Sequence, residues 1–246
     1  MIATHVDDCM MFAKDHTKVK EVIKSLEDGF KLTDEGDLSA CLGIDITKSK
    51  NNTWILSQPF LIERIVKTLG LEEDSNVHDT PYVEILTSDK DGEAFCEKWN
   101  YRSVQGTLTY LDESSRPDIQ FAVHHTSRFC NNPKSSHAKE IKRIGRHLRR
   151  TKEKGIIFNP NKSLGFEDWA DADFAGGWNL RDSGSMKSVL SRSGFVIKYA
   201  GCPIAWSSKL QSEIVLSTTE AECVSLSQSL RDLTPLHNIF DELKEV

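Results

Sequence analysis

No paired cysteine motif occurs anywhere in this 246-residue sequence. Its six cysteines, Cys9, Cys41, Cys96, Cys130, Cys202 and Cys223, are scattered without a single C-x-x-C. That spacing argues against a zinc knuckle and against a disulfide framework, and a reduced intracellular compartment is the simplest expectation. Long apolar runs are missing too: none approaches the roughly 18 residues a membrane span needs, so no membrane partner is expected. The opening stretch, residues 1–13, has no basic leader region and carries Asp7 and Asp8 among its apolar residues, so it does not read as a signal peptide. H-E-x-x-H, G-x-S-x-G, G-x-x-x-x-G-K and a dinucleotide-binding glycine fingerprint are all absent. Zincin, serine hydrolase, P-loop and Rossmann chemistry therefore have no support. The eight histidines are dispersed, and the one adjacent pair, His124-His125, reads as helix surface rather than as a ligand set. There is no internal repeat and no low-complexity tract.

What is present is a globular composition, with 38% apolar and 28% charged residues, in a chain long enough for one or two domains. The net charge of −6 does not suggest a nucleic-acid partner, but its distribution does. Segment 139–154 carries eight Lys or Arg against two Glu, whereas segment 71–97 sets nine acidic residues against Lys90 alone. Such asymmetry can steer a phosphate backbone to one face. Two solvated surfaces of opposite sign explain the basic stretch about as well.

The apolar spacing predicts the elements. A hairpin with an acidic turn is expected over residues 1–12, then a helix over 17–30 with Val19, Val22, Ile23, Leu26 and Phe30 on one face. Strands are expected over 38–47 and 53–57, around a polar turn at 48–52. Ser57 is positioned to cap a following helix that has Pro59 in its first turn and buries Leu61, Ile62, Ile65, Val66 and Leu69. Residues 71–97 read as a long acidic loop. Helices follow over 98–111 and 117–130. A basic helix over 137–150 shows a narrow apolar stripe at Ile141, Ile144 and Leu148. A short strand comes at 155–158. Beyond Leu164 come three strands, over 165–171, 194–199 and 203–207, and then a helix over about 218–231 with a further helical piece after it. Three strands followed by a helix is an α+β order.

Three acidic clusters could carry chemistry. Asp7 and Asp8, at a tight turn between apolar strands, could hold a hard cation such as magnesium, though Asp is also an ordinary turn residue. Asp171 and Asp173 sit at i and i+2 on a strand, sharing a face with Trp169, or are simply polar residues at a strand end. Glu220 and Glu222 follow Ser217 and Thr218, where a helix start explains one of them. They stand about 200° apart on a helix, so only one can face a given site. A carboxylate from the first strand and one from the helix could converge across a sheet and hold two metal ions that activate water at a phosphodiester.

These residues also carry a family likeness. His5-Val6-Asp7-Asp8 resembles the Y-V-D-D box of reverse transcriptases. Residues 37–46, DLSACLGIDI, are similar to the primer-grip region of copia-type enzymes and include Gly43. Residues 55–61, ILSQPFL, resemble the entry to their thumb, and Thr80-Pro81 the end of that region. Arg116-Pro117-Asp118-Ile119 and Ser127-Arg128-Phe129 resemble their connection. WADADFAG at 169–176, SGF at 193–195, WSSKLQ at 206–211 and LSTTEAE at 216–222 resemble their RNase H part. The boxes occur in family order over nearly the whole chain, and the sequence is identified as a member of the copia-type retrotransposon Pol polyproteins.

The resemblance implies an α+β fold in four parts. These are the C-terminal part of a polymerase palm (1–50), a thumb-like segment with an acidic loop (51–97), a helical connection (98–160) and an incomplete RNase H-like sheet and helix (161–246). It implies that Asp7 and Asp8 are catalytic metal ligands of the polymerase site, and that Asp171 and Glu222, rather than Glu220, are those of the RNase H site, with magnesium as the ion. Gly43 of the primer-grip-like stretch and, from the charge distribution, Lys139, Lys142, Arg143, Arg146, Arg149 and Arg150 of the basic helix are the candidate nucleic-acid contacts. The implied partners are RNA template, DNA primer, RNA–DNA hybrid and other parts of the polyprotein. The implied location is cytoplasmic, with virus-like particles and the nucleus beside it, and no oligomeric state is implied. His5 stands where the family has tyrosine. The family's third polymerase Asp is expected upstream of Met1, and the remaining RNase H carboxylates beyond Val246. As an isolated chain the protein is expected to be inactive, with a non-enzymatic nucleic-acid-binding remnant or a degenerate relic as the alternatives.

Overall fold

In the computed structural model, residues 1–6, 8–49, 53–73 and 76–244 are described. Asp7 and residues 50–52 of the expected polar turn lie outside the described residues. Strands β1 (Ile2–His5) and β2 (Asp8–Met11) form the expected antiparallel hairpin, with His5 opposite Asp8 and Ile2 opposite Met11. Helix α1 (His16–Glu27) starts at Asp15, whose carboxylate accepts from the Thr17 amide at 2.9 Å. None of its residues is buried, and no described residue before Gln58 is buried. Its apolar face is built but not covered within this chain: Val22, Phe30 and, further on, Leu38 remain exposed.

The stretch expected as one strand over 38–47 divides in two. Strand β3 (Ala40–Cys41) turns at Leu42 and Gly43 into β4 (Ile44–Lys48), with φ of +52° and +71° at the two turn residues. Positive φ at both central positions is the geometry of a tight two-residue hairpin, and Gly43 supplies it without a steric cost. The Tyr110 hydroxyl donates to the Leu42 carbonyl and pins this turn to the helical region. Strand β4 pairs with β5 (Trp54–Ser57), and β5 pairs with β6 (Ile156–Phe158), completing an antiparallel sheet in the order β3-β4-β5-β6. A Cβ at Gly155 would overlap the Leu56 carbonyl, so glycine is what lets the chain enter β6 beside β5.

Helix α2 (Pro59–Thr68) has its proline in the first turn, as expected, but Ser57 is not its cap. Ser57 belongs to β5, and Gln58 holds the cap position with its side chain buried, accepting from the Ser115 hydroxyl at 2.7 Å. Helices α3 (Tyr101–Ser114), α4 (Gln120–Ser127) and α5 (Ser135–Arg150) complete one core with α2. The stripe expected on α5 is its centre: Ile141, Ile144 and Leu148 are fully buried. The core cluster runs from Ile62 through Trp99 to Leu148, on both sides of the boundary expected at 97/98.

The described residues of 71–97 contain no helix and no strand longer than a single bridge, as expected of a loop, but they are packed down. The Leu86 amide donates to His125 Nε2 at 2.8 Å, and the Thr87 carbonyl lies 2.8 Å from His137 Nε2. His125 is therefore not surface: it is buried, and burial first, then the charges of Arg128 and Arg192, pushes its pKa down to about 3.

The last part is a three-stranded antiparallel sheet, β7 (Phe166–Asp173), β8 (Arg192–Tyr199) and β9 (Cys202–Leu210), in that spatial order. Helix α6 (Thr218–Lys244) lies across it as one helix despite Pro235. Mixed sheets and helices in this order are the α+β arrangement expected. No described helix is long and apolar enough to cross a membrane.

Candidate functional site

Strand β7 and the start of α6 bring the C-terminal candidates to one end of the last unit. Helix α6 is seated by serines. Ser225 Oγ donates to the Asp171 carbonyl at 2.7 Å, and the Ser229 hydroxyl bonds the Asp168 carboxylate. Small hydroxyls on the buried stripe let the helix approach closely while satisfying polar groups beneath it. Phe166 and Tyr199 meet Phe240 at the far end of the same face, with ring centroids 5.2 and 4.2 Å away.

The two glutamates at the helix start have separate tasks. Ser217 Oγ accepts from the Glu220 amide at 3.1 Å, and the Glu220 carboxylate accepts from the Leu216 amide at 2.8 Å. This is reciprocal capping chemistry, and it commits Glu220 to the helix end. Glu222 is exposed and lies one turn before Ser225, at the margin of the stripe that meets β7.

Strand alternation decides where the aspartates point. Asp168 faces α6, and β7 pairs with β8 without a register break. Asp171 and Asp173 therefore project from the opposite face, beside Trp169. Both are exposed. Asp173 lies across from Arg192, and a Cβ at Gly176 would overlap its carboxylate, so the turn after β7 folds back onto it. Asp171 carries no such engagement. Asp8 is exposed at the start of β2, and its neighbour Asp7 lies outside the described residues. Among the described residues no group of three or more His, Cys, Asp or Glu is close enough to hold a metal ion. The donor set does not fit magnesium by itself, because a hard cation of that kind takes several oxygen ligands at once.

The basic helix is not a free cationic face. Lys142 Nζ lies 2.7 and 2.8 Å from the two Glu97 carboxylate oxygens, and Arg150 lies 2.7 Å from Asp79. Arg143 donates to the Thr80 hydroxyl at 3.3 Å. The acidic loop and the basic helix, read apart in the sequence, fold onto one another. Of the candidate phosphate contacts, Lys139 and Arg150 are exposed, and Lys142, Arg143, Arg146 and Arg149 are half-buried.

Polar groups that the sequence reading named only within family boxes, without a role, are central. Arg116, 2% exposed, gives Nε and Nη2 to the Asp118 carboxylate at 2.8 and 2.7 Å, and it donates to the Thr151 carbonyl and hydroxyl. His147 Nε2 meets the same carboxylate at 3.0 Å. Burial would raise the Asp118 pKa, but the hydrogen bonds and charges of Arg116 and His147 outweigh it and hold the group well below the usual carboxylate range. The signal was the R-P-D spacing itself, which ties α3 to α5 rather than meeting a ligand. Where the helical core meets the last sheet, Trp206 Nε1 donates to the Asp112 carbonyl at 2.9 Å, and Arg192 stacks over Phe121 while lying 3.1 Å from His124 Nδ1. Ser88 joins the same junction through its amide and hydroxyl to Asp182, at 2.9 and 2.6 Å.

Residues 1–84 match the family model described as reverse transcriptase (RNA-dependent DNA polymerase). The chain is 30% identical to the retrovirus-related Pol polyprotein from transposon TNT 1-94 of Nicotiana tabacum, over 99% of its own length and 18% of the relative's. It is 26% identical to the Pol polyprotein from transposon RE1 of Arabidopsis thaliana, over 97% of its length and 16% of the relative's. An uncharacterised mitochondrial protein of Arabidopsis thaliana is 29% identical over 94% of this chain and 91% of its own. The chain thus spans less than a fifth of the transposon polyproteins it matches. No solved structure gives a significant match.

Proposed function

Because the chain belongs to the reverse transcriptase-bearing Pol polyproteins of retrotransposons, we propose that it is the part of a copia-type enzyme running from the polymerase palm into an RNase H-like unit. Residues 161–246 form that unit. It engages RNA–DNA hybrid, and as an isolated chain it binds hybrid without cutting it. The observation that carries this reading is the match to retrotransposon Pol polyproteins over 99% of the chain. Ser225 seats α6 on the Asp171 carbonyl, while the Asp171 side chain projects from the other face of β7 and is not brought to Glu222. Glu220 is spent on capping, which supports Glu222 as the helix carboxylate of the site. Asp173 is occupied by its own turn, which supports Asp171 as the strand carboxylate.

In the whole polyprotein, Asp7 and Asp8 would serve the polymerase metal site, and Asp171 and Glu222 the nuclease metal site, each completed by further ligands. The described carboxylates alone do not make such a centre, so the isolated chain orients and binds rather than cleaves. The exposed apolar faces of β1, β2 and α1 are proposed to be covered by other parts of the polyprotein.

Hybrid binding is expected to be electrostatic, with affinity falling linearly on a logarithmic salt scale. Fluorescence anisotropy of a labelled RNA–DNA hybrid, titrated at several salt concentrations, checks this. Salt-independent binding, or none by folded protein, would sink the reading.

A further inference from the structure

Where the end of α4 meets residues 187–190, the fold forms a half-open cavity of about 360 Å³. Its polar lining is His124, Ser127, Arg128, Asn131 and Lys187, and none of the lining residues is acidic. Four of these groups come from sequence positions read as connection, and Lys187 from the loop between β7 and β8. Nothing in the proposed polymerase or nuclease sites uses them.

Ser127 spends its hydroxyl on the His124 carbonyl at 2.8 Å, and the cationic groups of the wall have no carboxylate in the lining. Arg128 Nε is buried and makes no hydrogen bond among the described residues. Lys187 is exposed at the rim. His124 Nδ1 faces the Arg192 guanidinium at 3.1 Å, and since Arg can only donate, Nδ1 is the acceptor and Nε2 carries the proton. Burial first, then the charges of Arg192, Lys209 and Arg128, pushes the His124 pKa down to about 4, so the ring is neutral near pH 7. Asp182 attracts Arg128 from outside the lining, and both of its carboxylate oxygens accept from Ser88. A half-buried guanidinium, an ammonium and an imidazole N–H around one half-open pocket without an acidic side chain suit an oxyanion.

We propose that this cavity is an oxyanion site that holds a phosphate group. Arg128 and Lys187 supply the charge, and the neutral His124 supplies a further donor. The group is a backbone phosphate of bound nucleic acid or a free phosphate. Only the first source rests on the hybrid-binding reading above.

Two measurements on the full chain, made with wild type, Lys187→Gln and Arg128→Gln, test the site and its source. The first is thermal unfolding in inorganic phosphate against chloride at matched ionic strength. The second is anisotropy of a labelled RNA–DNA hybrid. Phosphate is expected to raise Tm in wild type and to lose most of that effect in both variants. Hybrid affinity is expected to fall about fivefold in each variant, with a salt slope shallower by about one. Lys187 is exposed, so its substitution keeps the test decisive should Arg128→Gln fold poorly. Loss of phosphate protection with unchanged hybrid affinity would assign the cavity to free phosphate. Phosphate protection in a wild type that binds no hybrid would leave the cavity standing and remove the hybrid reading. No phosphate effect in wild type, or equal effects in wild type and both variants, would overturn the proposal.

Discussion

Replacing Arg116 by methionine is expected to cost the fold about 3 kcal/mol, read as a lower urea midpoint with an unchanged slope. Methionine keeps much of the stem and removes every donor. Four hydrogen bonds go with it, two to Asp118 and two to Thr151. The guanidinium is fully enclosed, whereas the Asp118 side chain is partly open to solvent. Water therefore recovers some of what the carboxylate loses, which places the cost at the lower end for a broken buried pair. Acid sensitivity should change as well. Asp118 has a depressed pKa in the folded state, so its contribution is present above its unfolded value of about 3.9 and is lost as pH falls through the folded value. In the variant that contribution is reduced at neutral pH, and the fall in stability below about pH 4 should be shallower. An unchanged midpoint would mean that the R-P-D network does not hold α3 to α5.

Replacing Asp112 by asparagine is expected to do the reverse. Asp112 is 3% exposed on α3, and its Oδ1 has no hydrogen-bond partner among the described residues. Burial, then the charge of Glu113, raises its pKa to about 8, against the attraction of Lys209. A carboxyl whose folded pKa lies above its unfolded value binds more protons folded than unfolded between the two. Stability therefore falls as pH rises from about 4 to about 8. Asparagine has nearly the same shape and no charge to desolvate. The variant should be more stable than wild type at pH 8 by on the order of 3 kcal/mol, with little difference at pH 4. Thermal melts across that range check it, and parallel pH profiles for the two proteins would contradict it. Asp112 also offers its carbonyl to Trp206, so the titration acts where the helical core meets the last sheet.

Elements with strong periodicity were legible in the sequence. The α5 stripe at Ile141, Ile144 and Leu148 and the order of β7, β8, β9 and α6 follow from spacings of 3.6 and 2. What depends on contacts between distant residues was not. The stretch 38–47 alternates well enough for one strand, and only the positive φ at Leu42 and Gly43 makes it a hairpin. Ser57 has cap chemistry, but pairing with Asp45 in the sheet claims it first. The acidic loop and the basic helix look like two solvated faces until Glu97 and Asp79 are seen on Lys142 and Arg150. His125 reads as surface because its partner, the Leu86 amide, is 39 residues away.

The candidate site divides in the same way. Local spacing offered Asp171 with Asp173 and Glu220 with Glu222, the family resemblance alone chose Asp171 and Glu222, and a capping role for one of the two glutamates was foreseeable from the helix start. The direction of the Asp171 side chain depends on which face of β7 the helix covers, and Asp168 answers that only through Ser229. The phosphate cavity had no sequence signal at all, since Lys187 and Arg128 meet only through the fold.

The most direct test is incubation of the purified chain with an RNA–DNA hybrid and magnesium, beside Asp171→Asn and Glu222→Gln, with binding and cleavage read in the same samples. The predicted result is salt-sensitive binding by the folded protein and an intact RNA strand. Cleavage by wild type that disappears in both variants would contradict it, and would mean that these carboxylates assemble a working centre in this chain.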